Sequence, residues 1–335
     1  MHLKNLANSI ERFYMFEPII VADVGGTNAR FALVSAFDKS TKQITFDNIQ
    51  KFSSLDFESF ADVLAVYVST LAVVPKKACF AVAGPRKQDT AVLTNLGWQF
   101  NVSDIKARFG FEQFKVINDF AAFAEAAPYI SNDENLVVKN GEANPHGNIA
   151  VIGPGTGFGA AALVKGEDSN VVLSCEAGHI SLAACNELER NLINALSDEF
   201  EHVSVEHVFS GQGIENLYRA MAKVHNVDAK DIDAPTITSL ALANDDTICV
   251  KTLTQFCDWI GAVAGDLSLP FNATGGVYIG GGILPRFQDK LLTSEFSKRF
   301  VAKGKMQHIV EDIPVVLITQ DNIPLLGAAA SLDEN

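Results

Sequence analysis

The sequence has no Cys-x-x-Cys pair, no HExxH and no zinc-ligand spacing among its five cysteines and seven histidines. Cys79, Cys175, Cys185, Cys249 and Cys257 are odd in number and far apart. They read as small buried apolar residues in a reducing compartment, which excludes a disulfide or metal framework. His202 and His207 lie off one helical face and read as structural or surface groups. No apolar run reaches the ~18 residues of a membrane span. The first residues, MHLKNLANSIERFYMFEP, lack the apolar core of a signal peptide. Residues 1–18 therefore read as an extension before the first strand, and the expected location is cytoplasmic. Basic residues are few: 26 Lys and Arg against 40 Asp and Glu, a formal net charge of −14. That balance argues against nucleic acid or an anionic membrane as the main partner. It leaves room for a phosphorylated ligand, since one local site can be positive in an acidic protein.

What is present is a 335-residue chain, 48% hydrophobic, long enough for about two domains with sizeable cores. Residues 19–24 and 29–35 are strand-like runs on either side of GGTN, the pattern of a tight hairpin. Apolar positions at helical spacing (Phe60, Val63, Leu64, Tyr67, Leu71) predict a helix over 56–74. ACFAVAG (78–84) and FKVIN (114–118) read as strands, and 119–130 as a helix starting at Asp119. The turn-rich segment 139–148 is a candidate domain boundary. At 148–164, NIAVIGPGTGFGAAALV repeats the opening pattern of strand, glycine turn and strand. This implies two duplicated α/β halves whose glycine turns face a shared cleft. Further on, the pattern predicts a strand at 171–175, helices at 186–200, 204–222 and 250–269, and an exposed acidic loop at 225–235. A strand entering a third glycine cluster (275–283) and a late strand (314–318) complete it. Pro270 is expected to shorten or kink the last turn of its helix.

The glycine turns match no helix-leading phosphate loop. Walker A is absent, because Gly304-Lys305 is followed by Met306. A dinucleotide fingerprint fits Gly155, Gly157 and Ala160 only weakly, since strand and not helix follows. The partner motifs of a protein kinase are missing. Two hairpin turns remain, Ala22-Asp23-Val24-Gly25-Gly26-Thr27-Asn28 and Gly155-Thr156-Gly157. Their N–H groups and Thr hydroxyls can surround phosphate oxygens, and Asp23 can hold water of a nucleotide-bound Mg²⁺. With Gly281 and Gly282 starting an adenosine wall, the three clusters suggest a nucleotide such as ATP.

DVGGTNAR, INDF, GPGTGFG, EAGH, VSVEHVFSG and YIGGGILPRF, in this order, resemble the bacterial glucokinases, from about Ile19 to about Leu326. That family belongs to the sugar kinase, actin and heat-shock ATPase superfamily. The resemblance implies two ribonuclease-H-like domains, residues 1–129 with 320–335 and residues 130–319, with a cleft between them. The zinc-binding cysteines and the helix-turn-helix domain of the repressor–kinase relatives are missing, which favours the plain glucokinase branch. The implied reaction is transfer of the ATP γ-phosphoryl to the 6-hydroxyl of D-glucose, with Mg²⁺ bound through the nucleotide. A homodimer is implied too.

The resemblance makes Asp119 the general base, where local sequence alone reads equally well as a helix cap. Asn118, Glu176, His179 and Glu206 become sugar ligands beside it. Locally, Glu176 and His179 are polar groups of a glycine-containing turn, and Glu206 sits in the first turn of a helix that Ser204 would cap. Cys175 and Ala177 stand where the family commonly has glycines. Competing readings are a kinase of another hexose or amino sugar, a polyphosphate-dependent kinase, a sugar-sensing regulator that kept the fold, and a phosphatase or ATPase of the superfamily.

Overall fold

The computed structural model describes residues 16–38, 41–84, 86–93, 96–130 and 135–332. Most of the proposed N-terminal extension therefore lies outside the described residues. The chain divides into two compact units. One runs to Ile130 and resumes at Asn322; the other is the intervening segment, which ends at Asp321.

The first unit is built on β1 (Ile19–Val24), β2 (Asn28–Asp38), β3 (Gln43–Ser53), β4 (Lys77–Val82) and β8 (Gln113–Asn118), in the order β3-β2-β1-β4-β8. β1 pairs antiparallel with β2 and parallel with β4, which runs parallel to β8. A small antiparallel sheet is formed by β5 (Arg86–Lys87), β6 (Thr90–Leu93) and β7 (Trp98–Asn101). Helices α1 (Phe60–Ser69), α2 (Val102–Phe109) and α3 (Asp119–Ala126) complete it with a C-terminal helix, Ile323–Ala330. α1 starts later than predicted because Ser59 caps it, and Thr70 ends it. α3 gives way to a 3-10 turn at Ala127–Tyr129, where Pro128 cannot donate to an α ladder. Phe31 is fully buried and stacks on Tyr67 at 5.0 Å, and Phe60 stacks on Phe100 at 4.4 Å. These rings join sheet to α1, and such pairs add about 0.5–1.5 kcal/mol each beyond area burial.

The second unit repeats the plan. Its sheet comprises β9 (Leu136–Lys139), β10 (Ile149–Pro154), β11 (Phe158–Val164), β12 (Val171–Cys175), β13 (Gly276–Ile279) and β14 (Val315–Leu317), in the order β12-β11-β10-β13-β14-β9. β10 pairs antiparallel with β11 and parallel with β13, as β1 does with β2 and β4. The inferred duplication is thus visible as a shared strand order, with β9 an added antiparallel edge. The turn-rich segment 139–148 joins β9 to β10 inside this unit and is not a boundary. Helices α4 (Glu187–Leu196), α5 (Gly211–Val224), α6 (Ala234–Ala243) and α7 (Thr247–Ser268) cover the sheet with shorter pieces. Fully buried Trp259 donates its Nε1–H to the Ala183 carbonyl at 3.0 Å, so the indole is buried without an orphaned donor. α7 ends before Pro270, and α6 went unread in the sequence. Cys79, Cys249 and Cys257 are buried as expected, but Cys175 is half-buried and Cys185 exposed. Burial pushes the Cys79 and Cys257 thiols up to about 12, so neither supplies a thiolate.

Candidate active site

In the first unit, β1, β4 and β8 are adjacent and parallel, so their C-terminal ends lie along one edge. Ligands of α/β folds bind outside such ends. β1 ends in Asp23 and Val24 and enters the turn, whose Gly25 N–H donates to Asn28 O at 2.9 Å. Buried Ser54 braces the turn from the end of β3, with its N–H on Thr27 O at 2.9 Å and its hydroxyl on Gly25 O at 3.3 Å. The Thr27 side chain is left exposed.

β8 delivers Asn118 and Asp119 to the same edge. Asn118 Oδ1 accepts the N–H groups of Phe120 at 2.9 Å and Ala121 at 3.2 Å. The cap of α3 is therefore Asn118, and Asp119 is the first residue of the helix. Asp119 Oδ1 accepts from Phe120 N–H at 3.0 Å. Asp23 feels that carboxylate. Burial raises the proton affinity of Asp23 first and the Asp119 charge second, against the opposing pull of Arg30, and its pKa reaches about 6. Arg30 faces Asp23 across the hairpin and donates to Asn322 Oδ1 at the start of the C-terminal helix. Arg30, Ser54 and Asn322 were not singled out from the sequence. Arg30 follows the glycine turn by three residues, but only strand pairing shows that it opposes Asp23.

In the second unit, three stretches far apart in sequence are laced together. The Gly155 N–H donates to Gly157 O at 2.7 Å, closing the turn between β10 and β11. Glu206 Oε2 accepts the Phe158 N–H at 2.8 Å. The Glu206 N–H in turn donates to Gly178 O at 2.8 Å, within the 3-10 turn Ala177–His179. A bridge between Ser181 and Ser204 and the bond from His202 Nε2–H to His179 O at 2.9 Å extend this link. Glu176 and His179 project from the loop as exposed side chains. A Cβ at 157 would lie 2.4 Å from Glu206 Oε2, so a larger residue there would push that carboxylate aside.

The expected placement of Glu206 in a helix is corrected. Glu206 precedes α5, whose cap is Ser210, accepting from the Gly213 N–H at 2.9 Å. Ser204 instead donates its N–H to His207 Nδ1, and that ring stacks on Phe200 at 4.0 Å. Ser204 and Ser210 are both capping residue types, and local sequence could not choose between them. In the folded chain Ser204 pairs in a β-bridge with Ser181, and the helix begins only after the Ser210 cap.

Beside the turn lies a cavity of about 620 Å³. Gly155 and Thr156 line it, as do Gly211 and Ile214 of α5, Ala234, Pro235, Thr238, Ser239 and Leu242 of α6, and Gly282, Ile283, Arg286 and Phe287. The α6 contribution was missed, although Asp233 before Ala234-Pro235 is a recognisable helix start. Gly281 is not among the lining residues, but its φ of +87° turns the chain toward Gly282. Among the described residues no three His, Cys, Asp or Glu side chains gather as a metal cluster, and no helix is long and apolar enough to cross a membrane.

Comparison with known proteins places this geometry. The family model "Glucokinase" matches residues 20–335. A glucokinase of Saccharophagus degradans is 43% identical over 318 residues, 95% of this chain and 98% of its own. A glucokinase of Hahella chejuensis is 38% identical over 93% of this chain and 96% of its own. Among solved structures, a glucokinase from an Antarctic psychrotroph is 53% identical with a TM-score of 0.91, over 96% of this chain and 100% of that one. A hexokinase of the ROK family from Thermus thermophilus shares the fold alone, at 18% identity and a TM-score of 0.64, over 94% of this chain and 97% of its own. Duplicated sheets of this strand order, with glycine turns at both leading hairpins, are the actin-like ATPase fold, and within it the chain belongs to the glucokinase family of ATP-dependent sugar kinases.

Proposed function

We propose that this protein transfers the γ-phosphoryl group of ATP to the 6-hydroxyl of D-glucose, giving ADP and glucose 6-phosphate, with Asp119 as the general base. The observation that supports it most is the division of labour at the start of α3. Asn118 caps the helix with two N–H bonds, and Asp119, its first residue, is set at the strand-to-helix edge with Oδ1 on the Phe120 N–H. Asp119 takes the proton of the 6-hydroxyl as that oxygen attacks the γ-phosphorus. The new O–P bond forms as the bond to the β-phosphate oxygen breaks and ADP leaves.

The first unit contributes Asp119, the amide nitrogen of Asn118 for a sugar hydroxyl, and the Gly25–Asn28 turn for phosphate oxygens. The second contributes Glu176, His179 and the remaining oxygen of Glu206 to sugar hydroxyls. Several such groups reject an analogue that leaves one of them unpaired. Its Gly155–Gly157 turn receives phosphate, helped by the positive N-terminal end of α5, whose Gly211 N–H donates to Gly155 O at 2.9 Å. The adjoining cavity has apolar walls and three hydroxyls, those of Thr156, Thr238 and Ser239, which suit adenine and ribose. Asp23 fits a Mg²⁺ held mainly by the nucleotide. It is a hard oxygen donor, and burial first and the Asp119 charge second raise its proton affinity against the pull of Arg30. The ion, when bound, offsets charge on the phosphate oxygens. A homodimer and a cytoplasmic location belong to the same reading.

The test is turnover in a coupled assay with glucose, mannose, fructose and N-acetylglucosamine, each with ATP or polyphosphate. Glucose with ATP should exceed every other pair in kcat/KM. A higher value for another sugar or donor would overturn the assignment.

A further inference from the structure

Several cations of the second unit are held in ion pairs. Arg299 pairs with buried Glu189, Lys303 with Asp266, Arg219 with Glu199 and Lys230 with Asp246. In a chain of net charge −14 such pairing is expected. Arg286 differs. Among the described residues its side chain has no ion-pair or hydrogen-bond partner, and it is the one formally charged residue lining the 620 Å³ cavity.

Its position is set by the fold. β10 and β13 are parallel neighbours, with Ile152 paired to Ile279, so the segments that leave their C-terminal ends lie side by side. The Gly155–Gly157 turn leaves β10. The segment that leaves β13 begins with the Gly280 N–H on Ile152 O at 2.8 Å. It then forms the 3-10 turn Leu284–Phe287, anchored by the buried side chains of Leu284 and Phe287. Arg286 stands between these anchors and is exposed on a rigid turn. The rest of the lining is apolar or hydroxylic, so the cavity offers one matched place for an anion.

We infer that Arg286 binds the phosphates of the nucleotide, as the cationic partner of the Gly155–Gly157 turn. This rests on the reading of the cavity as the nucleotide site. A guanidinium suits the task because it presents paired N–H donors to phosphate oxygens and stays charged at any working pH.

The experiment compares the wild-type enzyme with Arg286→Gln and Arg286→Lys, using KM for ATP and competitive inhibition constants for ADP and adenosine. Arg286→Gln should raise KM for ATP and Ki for ADP about tenfold, leave Ki for adenosine within twofold, and leave KM for glucose within twofold. Arg286→Lys should recover part of the loss. An unchanged KM for ATP would overturn the inference. So would an equal loss for ADP and adenosine, which would place Arg286 on the base. Failure of the wild-type enzyme to use ATP would instead remove the reading beneath it, so the two failures are distinguishable.

Discussion

Glu206 Oε2 accepts the N–H of Phe158 at 2.8 Å, and through this bond a residue expected to hold sugar also braces the glycine turn expected to hold phosphate. One carboxylate oxygen is committed and the other remains. Glu206→Gln keeps an acceptor for Phe158 but loses the charge. It should raise KM for glucose about five- to tenfold and KM for ATP by less than twofold. Gly157→Ala should do more, because its Cβ would displace Oε2. Loss of that bond should raise KM for both substrates. Steady-state kinetics of the two variants, with each substrate varied in turn, checks this.

Asn118 and Asp119 are neighbours with separable duties. Asn118→Ala removes the cap of α3 and should lower stability by about 1 kcal/mol. Asp119→Asn leaves the cap in place and should unfold at the same denaturant concentration as the wild type. Its turnover should fall by at least about 10²-fold. Urea titration beside a coupled assay separates the effects, and near-normal turnover of Asp119→Asn would remove it as the base.

Gly327 marks where the C-terminal helix meets α3. A Cβ at 327 would lie 1.6 Å from the Ala122 carbonyl oxygen, which is backbone and cannot swing aside. Gly327→Ala should therefore force the helices apart and cost about 1–3 kcal/mol or more, despite the better helix propensity of alanine. Chemical denaturation gives the value. Activity should fall too, because α3 carries Asp119.

Asp23 makes stability depend on pH with an unusual sign. Its folded pKa of about 6 lies above the ordinary 3.8, so between these values the folded state binds more protons than the unfolded state. Its contribution therefore becomes less favourable as pH rises from about 4 through about 6. Asp23→Asn carries no such charge and should be more stable than the wild type at pH 7 without nucleotide. That advantage should shrink as pH falls to 5. Thermal unfolding at a series of pH values measures the difference.

Hairpin, glycine turn and strand were legible twice in the sequence because apolar runs and glycine pairs are local signals. The strand-to-helix junction at Asn118-Asp119 was legible for the same reason. Which of the two caps the helix was not, since both residue types can. Glu206 shows the limit from the other side. Its neighbourhood carries helix-start residues at Ser204 and Ser210, and only the folded chain shows the first in a bridge to Ser181 and the second capping the helix.

By itself the sequence determined the duplicated α/β plan, the two glycine turns and the family, because these rest on short-range patterns and on order along the chain. Tertiary structure alone decided that Arg30 opposes Asp23, that α6 and Arg286 line the cavity, and that Glu206 reaches the turn at Gly157. Those relations join residues tens to hundreds of positions apart or across a strand pair. They arise when parallel strands bring their ends to one edge, which no local periodicity encodes.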